Sequence, residues 1–121
     1  PLTHDFAVIS LSDRQTPWEK IEKRLDYAAQ ADLSIVIYNP RSHGRPDNLK
    51  KACDILLKTL PESRPCGVVR NIGREGQQKF LLTLRELRDF EADMFCTVFV
   101  GNAQTKIIGE NLVTPRGYRD V

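Results

Sequence analysis

The apolar run Ser34-Ile35-Val36-Ile37-Tyr38 breaks directly into the polar turn Asn39-Pro40-Arg41-Ser42, a buried strand delivered onto chemically equipped residues. Asn39 carries both a donor and an acceptor, and Pro40 stiffens the chain that presents Arg41. The same pattern recurs where Cys66-Gly67-Val68-Val69 runs into Arg70-Asn71-Ile72-Gly73-Arg74, and where Met94 to Val100 runs into Gly101-Asn102-Ala103-Gln104-Thr105. In open α/β sheets ligands bind beyond the carboxyl ends of strands, so three such turns side by side would form one rim. Gly73 and Gly76 allow a close backbone approach, and Arg41, Arg45, Arg70 and Arg74 are permanent cations suited to carboxylates or phosphates. On residue type alone, the same Asn, Gly and Pro serve equally as ordinary turn formers, and the arginines as a solvated face.

Other chemistries find little support. His4 and His43 lie in loop-like sequence without a Cys or acidic partner at metal-ligand spacing, so no metal site is expected. Ser10, Ser12 and Asp13 lack the G-x-S-x-G surroundings of a nucleophile, and no P-loop or G-x-G-x-x-G fingerprint occurs. Cys53, Cys66 and Cys96 are odd in number, widely spaced and set in apolar patterns, which reads as small core residues of a reducing cytoplasm.

The elements that must position the turns are legible in the periodicity. Asp5–Leu11 reads as a strand. Thr16-Pro17-Trp18-Glu19 reads as a helix start, with Thr16 as cap, Pro17 at the first helical position and Glu19 closing a capping box. Trp18, Ile21, Leu25 and Ala28 then share one helical face. Leu33–Tyr38 is a second, centrally buried strand, and a second helix begins near Pro46. Cys66–Asn71, Phe80–Leu82 and Met94–Gly101 give three more strands. A Thr83-x-x-Glu86 box opens a short helix, and Ile107-Ile108 forms an edge strand. The fold class is α/β: a mixed, mostly five-stranded sheet covered by helices in a single domain spanning 1–121. A parallel crossover joins strands two and three, and a hairpin joins three and four.

The 121 residues suit one core, with 40% hydrophobic and 28% charged residues. Eighteen basic against 16 acidic residues leave +2, too small an excess to argue for nucleic acid or an anionic membrane as partner. No apolar run approaches a membrane span.

In this order, "DFAVISLSD", "TPWEKIEKRL", "YNPRS", "VVRNIGREGQ", "DMFCTVFVGNAQT" and "VTPRGY" resemble the C-terminal half of the precorrin-3B C17-methyltransferases. These are tetrapyrrole methylases of cobalamin biosynthesis, cytoplasmic enzymes that use S-adenosylmethionine as methyl donor. The resemblance implies a two-domain protein whose N-terminal, G-P-G-D-bearing domain is missing here, in keeping with the early start at Pro1. It implies a homodimer at full length and a tetrapyrrole substrate, precorrin-3B or cobalt-factor III. The fragment alone is expected to be inactive. By position, Tyr38-Asn39 matches a pair whose second member contacts the cofactor, and Asn71-Ile72-Gly73 matches a turn that contacts it through backbone. Thr3 falls at the mouth of the substrate trough, and Arg41, Arg45, Arg70 and Arg74 suit the acetate and propionate arms of the macrocycle. No catalytic base is identified. Two alternatives stay open: another tetrapyrrole methylase (C20, C11 or uroporphyrinogen), and a non-enzymatic α/β module that binds a small anion.

Overall fold

The computed structural model describes residues 6–12, 14–40, 47–71, 75–93, 95–109 and 111–113. Five strands form one mixed sheet: β1 (Phe6–Ser10), β2 (Ser34–Tyr38), β3 (Pro65–Arg70), β4 (Gln78–Thr83) and β5 (Cys96–Val100), in spatial order β1-β2-β5-β3-β4. β1 and β2 pair in parallel across helix α1 (Trp18–Gln30). β2 and β3 point the same way across α2 (Asn48–Leu56) but are not neighbours, because β5 runs between them and is antiparallel to both. β3 and β4 form the expected hairpin, and α3 (Leu84–Arg88) follows. The closing strand is itself a small hairpin, β6 (Lys106–Ile108) with β7 (Asn111–Val113), separate from the main sheet.

Each helix forms where its apolar spacing matches the turn. Ile21, Leu25, Ala28 and Ala29 are the buried face of α1, and Leu49, Ala52, Cys53 and Leu56 that of α2. They close on Ile9, Ile35, Ile37, Cys66, Val68, Val98 and Val100 of the sheet to make a single core. At 3.6 residues per turn against a pleat of two, helix and strand expose opposite remainders. The other sheet face leaves Phe6, Val8 and Tyr38 exposed, and Leu112 of the second hairpin lies over Gly67. All three cysteines are free and buried. Burial, with Asp54 nearby, pushes the Cys53 thiol up to about 12, and burial likewise raises the Cys66 thiol well above its ordinary range.

The helix starts differ in detail from expectation. At α1 the cap is Pro17, whose carbonyl accepts from the amides of Lys20 at 3.0 Å and Ile21 at 3.3 Å. No side chain caps this end, so the box read at Thr16 and Glu19 is not formed. Proline's fixed φ and missing N–H let it serve one position earlier than assigned. At α3 the box does form: the Thr83 hydroxyl accepts from the Glu86 amide and the Glu86 carboxylate from the Thr83 amide. Arg88 ties this short helix to α2 through Asp54.

Strand direction overturns one expectation. Because β5 is antiparallel to β2 and β3, its outgoing turn Gly101–Thr105 lies at the opposite edge of the sheet from the turns after Tyr38 and Arg70. The turn is structural there. The Gly101 amide donates to the Pro65 carbonyl at 3.0 Å, and Arg64 reaches both the Gly101 carbonyl and Asp32. Asn102 accepts from the Gln104 amide and the Thr105 hydroxyl, and the Asn102 amide donates to Thr105 Oγ1. Thr105 packs so closely that a Cβ on Gly101 would stand 2.4–2.6 Å from three of its side-chain atoms. Gly101→Ala should therefore lower unfolding free energy by about 1–3 kcal/mol, the usual range for overpacking. Urea unfolding of the intact protein checks this, and an unchanged midpoint would contradict the packing described.

Candidate functional site

The edge that gathers the carboxyl ends of β1, β2 and β3 also receives the incoming end of β5. Asn39 and Asn71, each the first residue past its strand, both hold left-handed backbone conformations, with φ of 53° and 57°. Asparagine enters that region more readily than other side-chain-bearing residues. Each bends the chain sharply off the sheet and leaves a half-buried carboxamide at the rim.

The Asn39 carboxamide is held from β1: its Nδ2 donates to Ser10 Oγ at 3.0 Å, and the same oxygen accepts from the Ser12 amide at 3.2 Å. The Leu11 amide donates to the Tyr38 carbonyl at 3.1 Å, continuing the parallel ladder past the strand. Asn48, at the first turn of α2 and 2% exposed, donates to the Leu11 carbonyl at 2.9 Å. Thus β1, β2 and α2 are locked together beside Asn39. Tyr38, 43% exposed, presents an aromatic ring next to it.

At the end of β3 the Asn71 amide donates to the Phe95 carbonyl at 3.0 Å. Gly76, with φ of 81°, lies beside the Asn71 carboxamide, and its backbone conformation favours glycine. Arg70 does not stand free at the rim. It shares the helix-facing side of β3 with Cys66 and Val68, and its side chain is only 27% exposed. Its Nε lies 3.3 Å from Asp93 Oδ2, its Nη1 donates to Gln78 Oε1 at 3.2 Å, and the guanidinium sits 5.6 Å from the Phe80 ring centroid. Its pKa is raised, first by contact with the Cys96 thiol and further by Asp93.

Of the site residues expected from sequence, Tyr38, Asn39 and Asn71 share this edge, and Arg70 braces it from within. Thr3, Arg41, Arg45, Ile72, Gly73 and Arg74 lie outside the described residues. Sequence reasoning missed Ser10 as the partner of Asn39, and Asp93 with Phe95 as the support of Asn71. A cavity of about 350 Å³ opens beside Pro40, lined by Asp47, Lys50, Arg88, Asp89 and Glu91 among others. Its mixed charges give it no preference for an anion. Among the described residues no three His, Cys, Asp or Glu side chains gather as a metal site, and no helix is long and apolar enough to cross a membrane.

Comparison with known proteins matches the arrangement to one family. Residues 1–88 match the family profile of the tetrapyrrole (corrin/porphyrin) methylases. The chain is 48% identical over 119 residues to a probable cobalt-factor III C(17)-methyltransferase of Salmonella typhimurium, covering 98% of this chain and 49% of that protein. It is 40% identical over 123 residues to a precorrin-3B C(17)-methyltransferase of a Sinorhizobium species, covering 98% of this chain and 48% of the relative. The crystal structure of the methyltransferase CobJ superposes with a TM-score of 0.86 at 38% identity, over 95% of this chain and 48% of that one. A uroporphyrin-III C-methyl transferase from Thermus thermophilus, complexed with S-adenosyl homocysteine, shares the fold at a TM-score of 0.65 and 16% identity. The chain spans about half the length of these relatives. The family match over residues 1–88 and the shared fold lead to one conclusion: the chain belongs to the tetrapyrrole methylases.

Proposed function

We propose that this chain forms one half of an S-adenosylmethionine-dependent methyltransferase of cobalamin biosynthesis. The enzyme methylates C17 of precorrin-3B, or of its cobalt-containing counterpart cobalt-factor III, with contraction of the ring. The observation that carries this reading is the 48% identity, over 98% of the chain, to a protein named as acting on cobalt-factor III. The uroporphyrin enzymes, at 16–19% identity, speak for the fold alone.

Bound in such a site, S-adenosylmethionine supplies a methyl group on a positively charged sulfur, whose bonding pair stays on sulfur when an electron-rich ring carbon displaces it. That reaction asks the protein for alignment and dryness more than for an acid or a base. The edge suits the task. Tyr38 offers an aromatic face, and Asn39 and Asn71 offer neutral carboxamides of the kind that recognise an adenosine; Ser10 holds the Asn39 carboxamide, and the Phe95 carbonyl just before β5 holds the Asn71 main-chain amide. We assign Tyr38, Asn39, Asn71, Ile72 and Gly73 to the cofactor. Thr3, Arg41, Arg45 and Arg74 go to the substrate, whose carboxylate arms match guanidinium forks. The pairing of Arg70 with Asp93 and Gln78 supports a bracing part for it instead. Cobalt enters as substrate, not as a resident metal. The rest of the site, a second copy of the protein and a cytoplasmic setting complete the proposal.

Anaerobic incubation of the intact protein with S-adenosylmethionine and cobalt-factor III should give a product heavier by one methyl, with S-adenosylhomocysteine formed in equal amount. No methyl gain on either tetrapyrrole overturns the assignment. At the site, Asn39→Gly keeps the left-handed backbone and removes the carboxamide. It should weaken S-adenosylhomocysteine binding by roughly tenfold, as loss of one or two hydrogen bonds does, with little change in melting temperature. Unchanged affinity by calorimetry takes the Asn39 side chain out of the cofactor site.

A further inference from the structure

We propose that Asp93 is a positioning residue for the cofactor turn. Its carboxylate holds the Phe95 amide, and the Phe95 carbonyl so oriented fixes Asn71 in its left-handed conformation. The ligand in this proposal rests on the methyltransferase reading above.

Asp93 belongs to the chain entering β5, not to either turn assigned to the cofactor, and three sets of contacts make it a hub. Its Oδ1 accepts from the Phe95 amide at 2.9 Å and faces the Cys96 thiol at 3.4 Å. Its main-chain carbonyl accepts from the Cys96 amide at 3.2 Å, so Phe95, just before β5, and Cys96, its first residue, both fold back onto it. Its Oδ2 stands 3.3 Å from Arg70 Nε, a buried atom with no aligned hydrogen bond. The Phe95 carbonyl, on the far side of the same short turn, accepts the Asn71 amide at 3.0 Å.

Asn71 is therefore gripped from two directions. Its own amide is held by Phe95, and its covalent neighbour Arg70 is drawn toward the carboxylate that organises Phe95. A left-handed residue carrying a side chain persists where its surroundings over-determine it. With Asp93 46% exposed, its ion pair with Arg70 contributes little by charge alone. The Asx-type bond to the Phe95 amide is a matter of geometry, which an uncharged acceptor can reproduce.

Two substitutions separate these parts. Asp93→Asn keeps an acceptor for the Phe95 amide and loses the charge opposite Arg70, whereas Asp93→Ala loses both. In the intact protein, D93A should weaken S-adenosylhomocysteine binding roughly tenfold, raise KM for S-adenosylmethionine with kcat little changed, and speed hydrogen exchange of the Asn71 amide. D93N should restore all three to within about threefold of wild type. Wild-type affinity in D93A, or D93N as weak as D93A, overturns the proposal while leaving the methyltransferase reading intact. Should D93A not fold, Asp93→Ser supplies a hydroxyl acceptor to the same amide and must restore binding; a tenfold loss there also overturns it. Wild-type protein that binds no S-adenosylhomocysteine overturns the reading on which the ligand depends, and the proposal with it.

Discussion

A central strand must find partners for its main-chain groups on both sides, and β5 meets that demand between two strands that run against it. The arrangement of the rest follows. β2 and β3 become parallel to each other at one remove, so the two turns that follow them emerge at a common edge. The residues that lead into β5 emerge there too, between them, and supply the carbonyl that Asn71 requires. The turn after β5 is sent to the far edge, where it meets Asp32 and Arg64 in a compact polar knot. One reversed strand thus divides the molecule into an edge that can serve chemistry and an edge that serves assembly.

Polar groups at the two edges are treated differently. At the far edge several are satisfied from within the fold: Arg64 is 9% exposed with partners on both sides, and Asn102 and Thr105 bond to each other. Burial of this kind is tolerated because the hydrogen bonds are made, and it costs dearly when one partner is removed. At the site edge the carboxamides of Asn39 and Asn71 remain only half buried, with the Tyr38 ring exposed alongside. Rigid support with open polar ends is what a site for a small molecule needs.

Much of this was legible in the residues. The apolar spacing of α1 and α2, the near-continuous β2, the hairpin of β3 with β4 and the capping box at Thr83 each carry their own local signal, and each stands as read. The capping box at Thr16 does not form because Pro17, one residue later, occupies the cap position. The turn at Gly101 reads as part of the rim because loop composition does not encode strand direction; only pairing with the distant strands β2 and β3 does so. Arg70 is more instructive. Its parity with Cys66 and Val68 already puts it on the helix-facing side of β3, and this simple count outweighs the attraction of a nearby arginine cluster. Asp93 left no such trace, since its role depends on a register between β3 and β5 that no single sequence displays.

The burial of the three thiols bears on how the molecule can be studied. A thiolate, not a thiol, reacts with maleimides and disulfide reagents. Cys53 and Cys66 are kept protonated by their apolar surroundings, and Cys96, 2% exposed, is shielded within the sheet. A fluorophore or spin label directed to a cysteine introduced at exposed Ile107 would therefore react there in preference to the three native cysteines of this chain, which can be left in place. The second hairpin then becomes a place from which distances to the site edge can be read in solution without disturbing the core.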